Sequence, residues 1–275
     1  MSKTLYPYMM KSLGKNMEEM GRLESINGLE SFEDVSYVNQ KPIGNNSRSK
    51  PGTYTGVFDL IRKCYADTEQ AKNMQLSKAH FSFNSSKGQC LECSGLGEVS
   101  VNMHYMDDLY VYCNKCHGKR YCNEVLEVKR KNLSIGDLLD TEVHDLIEVF
   151  EEEKEIAQQL SMLDQVGLGY LKLGQSASTL SGGEAQRIKL AKELYKRECK
   201  SILYILDEPT TGLDEEDVEK VISVLTDLKE KGATIIVIEH NIKMIKACDY
   251  IIELGPTGGN QGGHITKVGY QSVSL

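Results

Sequence analysis

The chain has 275 residues, of which 40% are hydrophobic and 26% charged, and its formal net charge is −8 at pH 7. These values are typical of a globular protein of about two domains. No apolar run approaches the roughly 18–20 residues that a membrane helix needs, and no signal-peptide pattern opens the chain, so we expect a soluble cytoplasmic protein. The acidic balance does not indicate a nucleic-acid binder, so any DNA contact requires a local basic surface.

The first part of the chain mixes helical and strand patterns. The segment LYPYMMKSLGKNMEEM predicts a helix, and DVSYVNQ predicts a strand. Residues 41–56, KPIGNNSRSKPGTYTG, are rich in Pro, Gly, Asn and Ser, which predicts a long loop. The spacing of apolar residues in VFDLIRKCYA then predicts a helix. Residues 80–125 follow as a cysteine-bearing insert with alternating, strand-like segments.

Beyond about Ser134 the pattern turns helical and later changes to α/β. VHDLIEVFEEEKEIAQQL predicts an acidic, solvent-facing helix. GEAQRIKLAKELYKR predicts another, with an apolar stripe formed by Ala185, Ile188, Ala191 and Leu194. The wholly apolar runs ILYIL and TIIVI predict parallel strands covered on both faces, joined by the crossover helix DVEKVISVLTDLKEKG. The sequence therefore predicts an α/β fold with a parallel sheet.

Four of the eight cysteines stand in two CxxC pairs, CLEC and CNKC, separated by nineteen residues (94–112). That is the spacing of a four-cysteine zinc site, and in a cytosolic chain such pairs are more often metal ligands than disulfides. The competing interpretation is four buried or redox-active cysteines. His104 and His117 are further candidate ligands, which four thiolates make unnecessary. The predicted ligands of a structural Zn²⁺ are Cys90, Cys93, Cys113 and Cys116.

Two acids follow the strand ILYIL. Asp207 is placed to bind Mg²⁺ directly or through water, and Glu208 to orient or deprotonate an attacking water. The alternative is a strand that ends in two surface acids, which the surrounding LDEPT sequence disfavours. His240 follows the next strand, where a γ-phosphate sensor would lie, although a lone histidine is usually structural. Gln40, after VSYVN, is a candidate ligand of Mg²⁺ or water.

The segment LSGGEAQRIKL predicts a helix N-terminus. In its simplest interpretation Ser181 caps the helix and Glu184 reaches back, as in a capping box. The same geometry has a functional interpretation, because Ser181, Gly182 and Gly183 present a hydroxyl and bare backbone N–H groups to an anion. The motif alone is weak, but it gains specificity from the LDEPT segment that follows it.

Together these motifs resemble the ATP-binding-cassette (ABC) family, since a candidate Gln loop, the signature, Walker B and the His switch occur in the family's order. The resemblance narrows to the C-terminal half of the UvrA family, the ATPase and damage-sensing subunits of the bacterial UvrABC excinuclease. It covers nearly the whole chain. The segments that carry it are QKPIGNNSRSKPGTYTGVFD, the double CxxC insert, GYLKLGQSASTLSGGEAQR, LDEPTTGLD, VIEHN and LGPTGGNQGG.

The resemblance implies ATP-dependent recognition of damaged double-stranded DNA in nucleotide excision repair. It implies loading of a UvrB-like helicase subunit, a dimer of two-cassette chains, structural Zn²⁺, and ATP with Mg²⁺ in a composite site. It divides the chain into part of an ABC ATP-binding lobe (1–45), a signature domain (46–200) with the zinc insert at about 80–125, and the lobe with Walker B and the His switch (201–275). The nucleotide-site residues that it implies are Gln40, Ser181, Gly182, Gly183, Asp207, Glu208 and His240.

The sequence departs from the family pattern in three places. Asp214 stands where the family usually has His, and Asn45 and Asn46 replace a more basic stretch. No GxxxxGK[ST] P-loop occurs in the 275 residues, and GPTGGNQGGH lacks the Lys-Ser/Thr. The segment SKTLYPYMM resembles the family's sequence immediately after that loop. Since each charge-assisted hydrogen bond contributes roughly 1.5–3 kcal/mol, we expect the chain alone to bind ATP poorly and hydrolyse it negligibly.

Basic residues cluster locally at Arg48 and Lys50, at Lys119 and Arg120, and at residues 129–131. Phosphate contacts from such side chains are salt-dependent and sequence-neutral, which suits a sensor of deformed DNA. The alternative is solvated surface charge, and the resemblance favours DNA. The tyrosines near these clusters in sequence are Tyr54, Tyr105, Tyr110, Tyr112 and Tyr121.

Two other functions are compatible with the sequence. The chain could be a non-catalytic, zinc-stabilised DNA-binding or dimerisation fragment that modulates a full-length relative. A P-loop supplied by another chain would favour the ATPase, whereas its true absence would favour the fragment. The motor subunit of an ABC transporter is disfavoured, because its helical region would not need a four-cysteine insert.

Overall fold

The computed structural model describes residues 1–15, 20–44, 46, 48–101, 109–195, 200–256 and 263–270. No helix within those ranges is long and apolar enough to cross a membrane. The α-helices are α1 Leu5–Ser12, α2 Pro51–Thr55, α3 Val57–Ala66, α4 Glu69–Asn73, α5 Asn123–Glu127, α6 Ile135–Asp140, α7 Val143–Val149, α8 Lys154–Leu163, α9 Gly182–Leu194, α10 Glu215–Glu230 and α11 Ile242–Ala247. The strands are β1 Asp34–Val38, β2 Glu98–Val101, β3 Leu109–Tyr112, β4 Lys129–Arg130, β5 Leu133–Ser134, β6 Ile202–Asp207, β7 Thr234–Ile238, β8 Tyr250–Gly255 and β9 His264–Tyr270.

The chain divides into two compact units. One consists of Met1–Asn39 together with Glu198–Leu275, and we call it the sheet unit. The other is the continuous segment Gln40–Arg197, which we call the helical unit. The helical unit is thus an insertion between the first strand of the sheet unit and the remainder of that unit.

A parallel sheet with the strand order β1-β6-β7 organises the sheet unit. The central strand β6 is apolar, and its residues Leu203–Leu206 are buried, as expected of a strand covered on both faces. Helix α10 makes the crossover from β6 to β7 that a parallel pair requires. Met9 of α1 is buried with Val35 of β1 and with Leu203 and Ile205 of β6. The predicted α/β class and parallel sheet are confirmed, and the carboxyl ends of β6 and β7 lie side by side.

Two details of the sheet unit differ from the sequence predictions. Helix α1 ends at Ser12 because Gly14 adopts φ = 74° and lets the amide of Lys15 close back on the carbonyl of Met10 at 2.9 Å. Residues 16–19 of the predicted helix lie outside the described residues. The sequence analysis also missed the antiparallel ribbon of β8 and β9.

The helical unit confirms α3 at the predicted bounds. It also confirms α9, which begins one residue before the predicted start and ends at Leu194. Residues 196 and 197 of that prediction lie outside the described residues. The four apolar residues of the predicted α9 stripe are all buried. The loop predicted over residues 41–56 contains the short helix α2, which begins at Pro51 because proline is preorganised for the first helical turn.

The predicted acidic helix is in fact two helices, α7 and α8, with a break at residues 150–153. Phe150 is fully buried at the break. The guanidinium of Arg130 lies 5.9 Å from the centre of the Phe150 ring and pairs with the Glu153 carboxylate. These contacts hold the chain in a turn, so the acidic run cannot continue as one helix.

Within the cysteine-bearing insert, β2 and β3 pair as an antiparallel ribbon from Glu98 opposite Tyr112 to Val101 opposite Leu109. The residues that join them, 102–108, lie outside the described part, and these include His104 and Tyr105. All four residues of β3 are exposed. The ribbon therefore has little apolar core of its own and depends on what holds its base.

Candidate functional site

The four predicted zinc ligands converge at the base of the β2–β3 ribbon. All four cysteines are buried, and their sulfur atoms lie within 4.8 Å of one another. The Cys90 and Cys113 sulfurs are 3.8 Å apart, and those of Cys93 and Cys116 are 3.7 Å apart. A tetrahedral ion with Zn–S bonds of about 2.3 Å places its sulfur ligands about 3.8 Å apart. The separations fit a zinc site and are far longer than the roughly 2.05 Å of a disulfide.

Local turns explain why the two knuckles face each other. The backbone of Cys90 donates to the Arg120 carbonyl at 2.8 Å, and that of Cys113 to the Gly97 carbonyl at 2.9 Å. The Gly97 amide in turn donates to the Cys93 sulfur at 3.3 Å. The first two bonds cross between the two knuckles, so the pairs meet as one four-sulfur cluster.

Burial raises the pKa of the Cys93 thiol and brings that of Cys116 to about 12. Both thiols would stay protonated at neutral pH without a cation among them. A divalent metal supplies that charge, since thiolates rather than thiols are the ligands. The donor set fits a structural Zn²⁺.

The acidic pair lies at the carboxyl end of β6. Asp207 is opposite Ile238 of β7 in the sheet register, and its Oδ2 accepts a hydrogen bond from the Tyr37 hydroxyl at 3.1 Å. Burial and the nearby Asp207 carboxylate raise the pKa of Tyr37, so the phenol remains a donor at neutral pH. The Asp207 side chain is only partly buried. A carboxylate at such a strand end is a suitable oxygen ligand for Mg²⁺.

Glu208 begins the loop that follows β6. Its φ of 51° lies in the left-handed region, which costs a residue other than glycine about 1–3 kcal/mol. The Glu208 amide donates to the Ile238 carbonyl at 2.8 Å, and its carboxylate accepts from the Thr211 hydroxyl at 3.3 Å. The side chain is 45% exposed, so the turn presents a solvent-accessible carboxylate at the end of the sheet.

His240 lies beside Glu208 in the sheet unit. Its Nδ1 is 3.8 Å from the Glu208 Oε1 and 3.8 Å from the Glu239 Oε2. The imidazole is largely exposed, whereas the Glu239 side chain is 3% exposed. The structure thus brings together Asp207, Glu208 and His240 at adjacent strand ends, an arrangement able to orient a water and a phosphate.

Glu239 is a site residue that the sequence analysis did not single out. Burial alone would raise its pKa, but hydrogen bonds from Thr210, Asn241 and His240 hold that pKa below its ordinary value. The carboxylate therefore stays ionised at neutral pH. Its signal in the sequence, an acid immediately before His240, gives no indication of burial.

The signature segment forms the predicted capping box in the helical unit. The Ser181 hydroxyl accepts from the Glu184 amide at 3.2 Å, and the Ser181 amide donates to Glu184 Oε2 at 2.7 Å. The Tyr170 hydroxyl donates to the other Glu184 oxygen at 2.7 Å. Gly182 and Gly183 follow in the first turn of α9, where amides have no partner within the helix. The segment is a built helix N-terminus able to receive an anion.

Gln40 lies against the signature within the helical unit. A Cβ added to Gly182 would come within 3.2 Å of the Gln40 Cβ and 3.4 Å of its Oε1. Beside it, the Lys189 ammonium donates to the Lys41 carbonyl at 2.6 Å. The start of the helical unit is therefore packed on α9, and a Cβ at position 182 would be in tight contact with Gln40.

The four cations predicted to contact DNA lie in the helical unit and differ in accessibility. Arg48 donates to the Asn84 side chain at 3.1 Å, and Lys50 is only 7% exposed. Lys119 pairs with Asp137 at 2.6 Å. Arg120 bonds to Asp140 at 3.4 Å and to the Gly174 carbonyl at 3.3 Å. Their contact with DNA remains a prediction.

The tyrosines near these cations also divide into two groups. Tyr110 and Tyr112 on β3 are 63% and 80% exposed. Tyr121 is buried, and its hydroxyl donates to the Phe81 carbonyl at 3.0 Å. Tyr54 is covered by the Lys192 ammonium, 4.5 Å from the ring centre. Only the β3 pair therefore offers open aromatic rings among the described tyrosines of this group.

The chain also matches a known protein-family model. The family model described as ABC transporter matches residues 34–211, a span that includes β1, the zinc cluster, the signature and the acidic pair. The chain therefore belongs to the ATP-binding-cassette family.

Within that family the chain is similar to UvrA proteins. It is 49% identical over 264 residues to UvrABC system protein A of Clostridium acetobutylicum, an alignment covering 96% of this chain and 28% of that protein. The protein of the same name from Aquifex aeolicus is 49% identical over 265 residues, covering 96% and 29%. The crystal structure of UvrA2 from Deinococcus radiodurans matches with a TM-score of 0.80 at 42% identity, over 88% of this chain and 30% of that one. The chain thus spans less than a third of the length of these relatives.

Proposed function

We propose that the chain acts in nucleotide excision repair as part of an ATP-dependent, UvrA-like subunit that recognises damaged double-stranded DNA. The observation that supports this proposal is the arrangement of Asp207, Glu208 and His240. It occurs in a chain of which 96% aligns with UvrABC system protein A of Clostridium acetobutylicum at 49% identity. If Asp207 and Glu208 were only surface acids, Glu208 would not need its left-handed backbone conformation. Nor would its amide need the hydrogen bond to the Ile238 carbonyl of β7.

Each nucleotide-site residue has a distinct role in this proposal. Asp207 holds Mg²⁺, Glu208 orients or deprotonates the attacking water, and His240 contacts the γ-phosphate. Mg²⁺·ATP, when bound, supplies the phosphoryl group and a cation that neutralises its charge. Gln40 is a ligand of the metal or the water. The Ser181–Gly183 turn receives phosphates of a nucleotide held by another cassette.

The phosphate-binding loop of this site would be supplied by polypeptide outside the 275 residues. No GxxxxGK[ST] segment is present among them. A complementary ABC half or a dimer partner would therefore complete the site, and the protein would load a UvrB-like helicase subunit onto DNA.

DNA contact is proposed for the surface of the helical unit around the zinc cluster. Arg48 and Lys119 are the better candidates of the four predicted cations, because Lys50 is buried and the Arg120 side chain is only 13% exposed, against 34% for Lys119. The exposed rings of the β3 tyrosines adjoin the same module. Sequence-neutral contacts of this kind suit recognition of deformed rather than particular DNA.

The ATPase role is tested by replacing the matching segment of the Clostridium acetobutylicum relative with this chain. We expect the chimera to hydrolyse ATP, and we expect Glu208→Gln to lower the turnover due to this cassette by about 10²-fold or more. Comparing the chimera with its Glu208→Gln form isolates this cassette from other sites of the relative. Turnover that is the same in both would refute the assigned role of Glu208.

DNA contact is tested with the isolated chain and a fluorescent duplex that carries a lesion. Lys119→Gln should weaken binding and reduce the slope of log K against log[salt] by about one. Lys267→Gln, an exposed lysine on β9, is the matched control. If both variants bind as the parent chain does, Lys119 is not part of the DNA surface.

A second candidate is a non-catalytic, zinc-stabilised DNA-binding or dimerisation module that modulates a full-length relative. It is favoured by the lack of a P-loop motif in these 275 residues. This role would be favoured over the ATPase if DNA binding depends on zinc and if ATP turnover by the chimera does not depend on Glu208.

A further inference from the structure

Glu239 connects the two loops that carry Glu208 and His240. One carboxylate oxygen, Oε1, accepts from the Thr210 amide at 2.9 Å and from the Thr210 hydroxyl. The other, Oε2, accepts from the His240 amide at 2.7 Å and from the Asn241 amide at 2.9 Å. An ionised carboxylate has about four acceptor positions, so this group is saturated. It has no position left for water or substrate.

The bonds to Thr210 fix the turn that presents Glu208. Thr210 is buried, and the next residue, Thr211, donates its amide to the Glu208 carbonyl at 3.2 Å. The Thr211 hydroxyl also reaches the Glu208 carboxylate at 3.3 Å. Because Glu208 occupies a costly left-handed conformation, the surrounding bonds must hold it there. Releasing Thr210 would release that turn.

The bonds to His240 and Asn241 fix the second loop. Asn241 caps α11 by accepting from the amides of Lys243 at 2.9 Å and Met244 at 3.3 Å. Glu239 therefore ties the start of α11 to the loop after β6. His240 Nδ1 and Glu208 Oε1, one on each of the two loops that this carboxylate joins, are 3.8 Å apart.

We propose that Glu239 is a positioning residue, which holds the Glu208 turn and the His240 loop at a fixed separation for ATP hydrolysis. This inference rests on the proposed function and adds a residue to it. Glutamate suits the position because both oxygens are acceptors. Glutamine would offer one oxygen and would direct its NH₂ at backbone N–H groups. Aspartate keeps the charge but is one methylene too short to reach both loops.

The first test is amide NMR of the 275-residue chain with Glu239→Gln. The amides that bond to the carboxylate should shift, as they would for any structural acid. The distinguishing expectation is that the Glu208 amide, which does not bond to Glu239, shifts as well. Glu253→Gln, an exposed glutamate on β8, is the control and should leave the Glu208 amide unchanged. An unchanged Glu208 amide in Glu239→Gln would overturn the inference.

If Glu239→Gln does not fold, the same amide NMR test can be made with Thr210→Val. This variant removes one donor of the connection and preserves the shape of the side chain and the carboxylate itself. We expect the Glu208 amide to shift while the α11 cap at Asn241 stays in place. An unchanged Glu208 amide would overturn the inference.

The second test is ATP turnover in the chimera. We expect Glu239→Gln to lower kcat of this cassette about 10- to 100-fold, as for a small misplacement of catalytic groups, with KM for ATP little changed. Glu239→Asp should recover part of the loss. Full kcat in Glu239→Gln, alongside a loss in Glu208→Gln, would overturn the inference and leave the proposed function intact. Turnover insensitive to Glu208 would refute the proposed function, and the amide shifts would still decide the positioning role.

Discussion

The cysteine cluster and the carboxyl end of β6 obtain their geometry in opposite ways. The four cysteines form a buried cluster with Val99 packed against it, at the base of a ribbon whose β3 strand is wholly exposed. The end of β6 stands on a strand whose residues Leu203–Leu206 are buried, next to a parallel neighbour. The donor set of the first arrangement fits a bound ion, whereas the second rests on apolar burial and backbone bonds. Each should therefore respond to a change that leaves the other intact.

The largest effect is expected from removing a zinc ligand. Cys93→Ser should abolish stoichiometric zinc binding and the protection of the β2–β3 amides, because structural zinc contributes about 10–16 kcal/mol to such modules. The sheet unit should keep its protection. Metal analysis with hydrogen–deuterium exchange measures both. Cys64→Ser, a cysteine outside the cluster, should retain zinc, and an intact ribbon without zinc would contradict the comparison.

The converse change is a cavity beneath the acidic pair. Ile205→Ala should destabilise the sheet unit by about 2–5 kcal/mol, because it removes buried methyl groups from the central strand. Zinc content should stay the same. Denaturant unfolding followed in the sheet unit gives the loss. Ile252→Ala, at an exposed position on β8, should cost about 0.5 kcal/mol or less. Loss of zinc in Ile205→Ala would show that the two regions are not independent.

The sequence predicts a region well when the residues that interact in it are close together along the chain. The four clustered cysteines lie in two short motifs, and β6 and β7 are continuous apolar runs, so the cluster and the two strands were predictable. The turn between α7 and α8 was not, because it depends on Arg130 meeting Phe150 and Glu153. Glu239 was missed since its partner Thr210 lies 29 positions earlier in the chain. Such contacts have no local pattern.

Lys50 shows the same limit for charge. The sequence places it in a basic cluster, whereas the structure buries it in the helical unit. Burial and the nearby Arg120 guanidinium lower the pKa of Lys50 to about 8. Clustered positive residues in sequence therefore do not define a surface.

A pH-dependent prediction follows for Lys50. The unfolded pKa is about 10.4, so the unfolded chain binds more protons between pH 8 and about 10.4, and stability should rise with pH across that window. Lys50→Met should remove this slope and stabilise the helical unit by about 1–3 kcal/mol at pH 7, allowing for residual solvent screening. Denaturant midpoints at pH 7 and pH 9.5 measure the effect. An exposed control, Lys63→Met, should keep the dependence of stability on pH. If Lys50→Met keeps it too, the slope does not come from Lys50.

The smallest effect is expected at the signature helix. Ser181→Ala removes the hydroxyl that caps α9 and should cost about 1 kcal/mol. Zinc content and the sheet unit should be unaffected. The loss is measured from the thermal unfolding midpoint of Ser181→Ala. The control is Ser100→Ala, at an exposed serine on β2. Equal midpoints for the two variants would show that the capping box does not stabilise the helix.

The most direct test of the proposed function is ATP turnover by the isolated chain beside that of the chimera, each with and without Glu208→Gln. We predict negligible turnover by the isolated chain and Glu208-dependent turnover in the chimera, because the proposed site would need a phosphate-binding loop from other polypeptide. Robust turnover by the isolated chain that Glu208→Gln abolishes would contradict the account. It would mean that these 275 residues hold the triphosphate without such a loop.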